Sequence, residues 1–127
     1  MSTPCTYLLL LLILFYAYHL YSNGIAVSEV SYSYDKVVHN GEYWRMLTSS
    51  FSHFEIFHLA FNCMTLFQLA SLEMLLGSMK YLYLSMDLVL LTMCICTLTY
   101  HVLITRFERQ EMIMQQAVGY SCVLFAW

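Results

Sequence analysis

Hydrophobic residues fall along this chain in four blocks divided by polar stretches. The first block, residues 7–21, reads Tyr-Leu-Leu-Leu-Leu-Leu-Ile-Leu-Phe-Tyr-Ala-Tyr-His-Leu-Tyr. Thr3 suits an N-cap and Pro4 the first helical position, so a helix is predicted over 4–21. At about 1.5 Å per residue it spans roughly 28 Å, close to the roughly 30 Å of a hydrocarbon core. The alternative for this block is a cleaved leader with Gly24-Ile25-Ala26 as a small-x-small site, although no Lys or Arg precedes it.

The second block, 54–76, carries His58, Asn62, Thr65, Gln68 and Glu73. On a helix turning about 100° per residue, His58, Asn62, Leu69 and Glu73 share an arc of about 60°. That side is expected to face protein rather than lipid. Gly77-Ser78 supplies the stop signal. The third block, 81–104, is apolar apart from Asp87 and His101, and a connector with Arg106, Glu108, Arg109 and Glu111 follows it. The fourth helix is predicted over 117–127 and onward. From Met112 to Trp127 the chain is short for a membrane span, so truncation in mid-helix is the expectation. Residues 22–52, with Asp35, Lys36, Asn40, Gly41, Glu42, Trp44 and Arg45, form the one substantial water-compatible stretch. They are long for a simple connection and are expected to lie at the membrane interface.

Composition sharpens this pattern. Of 127 residues, 61% are hydrophobic and only 10% charged, against about 25% charged in soluble domains. The expectation is a single all-α domain over 1–127, a polytopic transmembrane helix bundle whose main solvent is the lipid bilayer. A net charge of −3 with no basic patch excludes nucleic acid as a partner. Of the five cysteines, Cys63, Cys94, Cys96 and Cys122 lie in apolar runs and Cys5 at the edge of one, without C-x-x-C spacing. Neither a disulfide framework nor a metal site is expected, and no cofactor. Lys and Arg are spread two, one and two over the three connections, so charge sets no orientation.

Two polar constellations carry candidate chemistry. His58-x-x-x-Asn62 places two hydrogen-bond donors on one helix face, fit for an oxyanion; the plain alternative is helix-to-helix glue. Gly119-Tyr120-Ser121 puts a hydroxyl at a helix start, where the helix dipole favours developing negative charge and Gly119 permits close backbone approach. Alone, such a serine more commonly bonds to its own backbone. Trp44-Arg45 suits a loop anchor at an interface, and the hydroxyl-rich stretch 48–53 is nondescript. Glu73, near a helix end, is read as a structural acceptor rather than an acid–base group.

Taken in order, Gly41-Glu42-Tyr43-Trp44-Arg45, Ser52-His53-x4-His58-x3-Asn62, Leu72-Glu73-x3-Gly77-Ser78 and Ala117-Val118-Gly119-Tyr120-Ser121-Cys122 resemble the rhomboid family of intramembrane serine proteases. The last element is similar to the eukaryotic branch that includes the rhomboid-domain protease of the endoplasmic reticulum. The resemblance implies a six-helix bundle, about four of whose helices are present here, in a multi-pass membrane protein. It implies Ser121 as nucleophile, His58 and Asn62 as oxyanion hole, and transmembrane proteins as substrates. Gly119, Trp44, Arg45, His53, Glu73 and Gly77 would be structural supports.

Three departures matter. Cys122 stands where the family has glycine after the serine, and a thiol there crowds the pocket. Leu69, with Ala70 following, replaces a packing glycine ahead of Glu73. No Gly-His segment follows Ser121 to supply the base, so this stretch alone is expected to be inactive. The alternatives are a non-catalytic rhomboid-like protein that binds transmembrane clients and an unrelated helical membrane subunit. Oligomeric state is not legible.

Overall fold

The computed structural model describes residues 3–127. A long helix α1 (Pro4–Ser22) is followed by a single-turn helix α2 (Val27–Val30), a π-helical turn at Asp35–His39, and α3 (Arg45–Phe51). Then come α4 (Ile56–Gln68), α5 (Ala70–Leu76), α6 (Ser78–Arg106), a 3₁₀ turn at Gln110–Met112, and α7 (Ser121–Ala126). Among the described residues, three stretches are long and apolar enough to cross a membrane: Pro4–Ser22, Ile56–Leu76 and Ser78–Arg106. Their outward faces carry Leu11, Phe15, Phe57, Leu75, Tyr83 and Leu98, all exposed. That is the surface a bilayer covers.

Lipid tails are as apolar as leucine, so the helices associate through close packing and internal hydrogen bonds rather than escape from water. Leu9 and Ile13 of α1, Leu66 of α4, Tyr81 and Val89 of α6, and Val123 of α7 form the packed centre. At one end of the bundle α1 is fastened by a residue far along the chain. The first amide groups of a helix lack intrahelical partners. Thr3 does not bond to them with its side chain. Instead the Glu73 carboxylate accepts the amides of Cys5 at 2.9 Å and Thr6 at 2.8 Å, and the Thr6 hydroxyl at 2.8 Å. A carboxylate at a helix N-terminus also meets the favourable end of the dipole. Glu73 is 1% exposed and is the cap that Thr3 was expected to be.

The predicted elements shift in four places. The helix over 4–21 runs to Ser22. The one over 54–76 is interrupted at Leu69, whose ψ of −4° opens a turn between α4 and α5. The third helix is longer at both ends than 81–104, starting directly after Gly77, whose φ of 82° breaks the chain direction. The fourth begins at Ser121, not at 117. Ala117 is held in an antiparallel bridge with Tyr32, each amide bonding the other's carbonyl at 3.0 Å, and Gly119 has φ of 111°, which no helix accepts.

Residues 22–52 are more ordered than an interfacial loop. Arg45, 6% exposed, donates to the carbonyls of Ser28 at 3.1 Å and Ser31 at 3.0 Å and pairs with Glu42. Its guanidinium also lies 4.6 Å from the Trp44 ring. A rigid fork of donors on one buried side chain thus closes the loop over α3.

Candidate functional site

The site forms where the connector before α7 is pressed against α3 and the start of α4. Gly119 is the pivot. Its amide donates to the Ser49 carbonyl at 2.8 Å, and its positive φ is a conformation that side chains rarely adopt. A Cβ at this position would fall 2.9 Å from His58 Nε2 and closer still to Cε1. The His58 imidazole therefore rests on the bare backbone immediately before Tyr120 and Ser121.

His53 holds the next residue. It is buried, with its ring centroid 5.1 Å from that of His58. Its Nδ1 lies 3.1 Å from the Phe51 carbonyl, and its Nε2 lies 3.4 Å from the Tyr120 amide. Nδ1 faces an acceptor and Nε2 faces a donor, so the compatible form is the neutral imidazole protonated on Nδ1. Burial pushes its pKa below the ordinary histidine value, and His58 beside it adds to this. The bond to Phe51 and the neighbouring Asn62 side chain oppose the shift without reversing it.

Asn62 is fully buried, and its amide nitrogen donates to the His58 carbonyl one turn earlier at 2.7 Å. The amide group has two N–H bonds, so one remains for a further acceptor, while its oxygen has no partner. Ser121 is the first residue of α7 and is half-buried. Behind Gly119 lies a cavity of about 30 Å³ bordered by Tyr32, Ser49, Met93, Cys96, Ala117, Val118, Gly119 and Cys122. Cys122 borders this space and is itself exposed.

The five imidazoles are all occupied elsewhere. His19 pairs with Asn23 at 3.1 Å, His39 with Asp35 at 3.2 Å, and His101 with the Tyr34 hydroxyl at 2.6 Å. His53 spans Phe51 and Tyr120, and His58 packs on Gly119. Among the described residues none is hydrogen-bonded to Ser121.

The structure thus brings together Gly119, His53, His58 and Asn62, and Ser121 follows Gly119 by two residues at the start of α7. Trp44, Arg45, Glu73 and Gly77 stand apart, acting on the loop and on the α1 and α6 ends. Ser49 and Tyr32 are participants that sequence reasoning passed over. Ser49 gives a backbone carbonyl, for which no side-chain signal exists. Tyr32 gives the bridge to Ala117, and its hydroxyl donates to Thr97 at 3.1 Å. Burial pushes its pKa up to about 12, so it stays a donor.

Comparison with curated proteins and with solved structures gives no match. The family profile described as Rhomboid domain matches residues 40–127, which include Trp44, Arg45, the α4 histidine and asparagine, Glu73, and the whole Ser121 segment. Members of that family are generally intramembrane serine proteases. With most of its length matched, and with the helices and the packed motif residues described above, the chain belongs to the rhomboid family.

Proposed function

We propose that this chain carries the nucleophile and oxyanion half of a rhomboid-type serine endopeptidase that cleaves transmembrane proteins within the bilayer. Ser121 Oγ attacks the scissile carbonyl, and the resulting oxyanion is met by His58, the free N–H of Asn62 and the Ser121 amide. Loss of the amine leaving group gives an acyl-serine, which water then hydrolyses. Each such donor contributes about 10²–10³ in rate in comparable hydrolases. The observation that carries the reading is the seating of the His58 ring on the Gly119 backbone, 61 positions away in sequence and two residues before Ser121.

A serine hydroxyl is a weak nucleophile without an adjacent base, and none of the five imidazoles here is bonded to Ser121. The protease reading therefore requires a base histidine besides these five, and the 127-residue stretch by itself is expected to be inactive. The endoplasmic reticulum is the compartment that the form of the Ser121 segment favours.

A second reading, a non-catalytic rhomboid-like protein that holds transmembrane clients, is favoured by that same lack of a paired imidazole and by Cys122 after the serine. Reaction with a fluorophosphonate in native membranes separates the two. Labelling that is lost on Ser121→Ala supports the protease, whereas client binding without any reactive serine supports the alternative.

A further inference from the structure

Asp87 is the one carboxylate of α6, and neither the candidate site nor the packing of the bundle uses it. Two contacts set its depth. At one end of α6 the Cys5 thiol donates to the Ser78 carbonyl at 3.3 Å, so α6 starts level with α1. At the other, the Tyr34 hydroxyl, in the loop between α1 and α3, is bonded to the His101 ring at 2.6 Å. From Ser78 to His101 the helix rises roughly 34 Å, slightly more than a hydrocarbon core of roughly 30 Å. Asp87 lies about 14 Å along from Ser78, close to the middle of the bilayer. The helix packs inward through Tyr81, Ser85 and Val89, all buried, and Tyr81 stacks on Trp127 with ring centroids 5.1 Å apart. Asp87 is two positions from Ser85, about 200° around the helix, so it points away from the bundle, and it is exposed. Tyr83, Leu90 and Cys94 on the same outer side are exposed as well. Among the described residues no ion pair includes Asp87.

A carboxylate facing acyl chains at mid-depth is costly, because water and headgroups do not reach it. Lysine and arginine escape that cost by stretching a long stem to the interface, and aspartate has no such stem. A leucine at this position would continue the apolar surface of Leu90 and Leu91 at no such cost. A counter-charge at this depth comes from another membrane-spanning helix. A second copy of the described helices supplies none: Lys36, Arg45, Lys80, Arg106 and Arg109 all lie in connections or at helix ends. We propose that the outer face of α6 around Asp87 docks a transmembrane helix of a different protein, one that carries a lysine or arginine near its middle. The two charges pair within the bilayer, and Tyr83, Leu90 and Cys94 pack against the adjoining turns of the partner. This face is opposite the side of α6 that holds α7, so the proposal rests on the membrane-spanning character of α6 and not on the reactivity of Ser121.

The probe is a synthetic leucine-rich transmembrane helix with one central lysine; its control has leucine at that position. Association of each with the full-length protein in lipid vesicles is read by energy transfer between labelled partners. The lysine helix is expected to bind about tenfold more tightly than the control. Asp87→Leu, which removes a charge from a lipid-facing position and leaves the inward contacts of α6 intact, is expected to abolish that difference while the protein stays folded. Equal binding of the two probes to the parent protein overturns the proposal: Asp87 is then either covered by the protein's own chain or left unpaired in lipid. A preference for the lysine helix that survives Asp87→Leu also overturns it, since the lysine is then held at another place.

Discussion

Gly119 and His53 show how much depends on single positions. Gly119 is glycine for two reasons that add: its φ of 111° disfavours any side chain, and His58 occupies the space a Cβ needs. Strained backbone of this kind costs about 1–3 kcal/mol before the clash is counted. Gly119→Ala is therefore expected to destabilise the fold by more than about 2 kcal/mol, read by equilibrium unfolding in bicelles, and to move the His58 ring, read by its NMR shifts. Wild-type stability with unmoved shifts would contradict the placement of that ring.

His53 predicts a pH dependence. Its folded pKa lies below the unfolded value because burial disfavours the charged ring. Between the lowered folded pKa and the ordinary value near 6.5, the unfolded chain binds more protons, so stability rises with pH there. The contribution is complete above about 6.5 and is lost as pH falls through the window below it. Unfolding measured from pH 7.5 down to pH 5 should show this decline, and His53→Gln should flatten it. An unchanged slope in the variant would assign the decline elsewhere.

At the level of elements, the most instructive contact is the capping of α1 by Glu73. The helix over 4–21 was legible from its apolar run and Pro4, and Glu73 was legible as a structural acceptor. Their connection was not, because the carboxylate and the amides it binds are 67 and 68 positions apart. Glu73→Ala leaves two amides and a hydroxyl without their acceptor in a buried place. A loss of about 1–3 kcal/mol follows for each group left unpaired, along with fraying of the first turn. Cys5, buried in the native fold, should then react with a membrane-permeant maleimide far faster than in the parent; equal rates would contradict the cap.

Arg45 does the same work for the loop between α1 and α3. Arg45→Lys cannot reproduce the fork to Ser28, Ser31 and Glu42. Limited proteolysis should open residues 28–31 in that variant first. The start of α7 was misplaced by sequence for a tertiary reason as well. Hydrophobicity continues from Met112, but pairing with Tyr32 extends the backbone at Ala117, and Gly119 then turns it toward Ser49.

For the molecule as a whole, the apolar blocks revealed the membrane-spanning character directly, since length and composition alone set it. The motif order revealed the family. What sequence did not reveal was the means of assembly: backbone carbonyls such as that of Ser49, a neutral histidine used as an acceptor, and the reach of Glu73 to the start of α1. These are tertiary contacts without a fixed spacing.

In the function proposed above, residues 3–127 are a scaffold that presents Ser121 to the oxyanion donors His58 and Asn62 without a histidine bonded to the serine. Two results follow at this scale. The purified 127-residue chain should show no Ser121-dependent cleavage of a transmembrane substrate. The protein in its own membrane should react with a fluorophosphonate at Ser121, and this second measurement tests the account most directly. Labelling there, abolished by Ser121→Ala and reduced about 10²-fold or more by His58→Ala, is the result predicted. A protein that is folded and present in the membrane yet carries no label at Ser121 would contradict it.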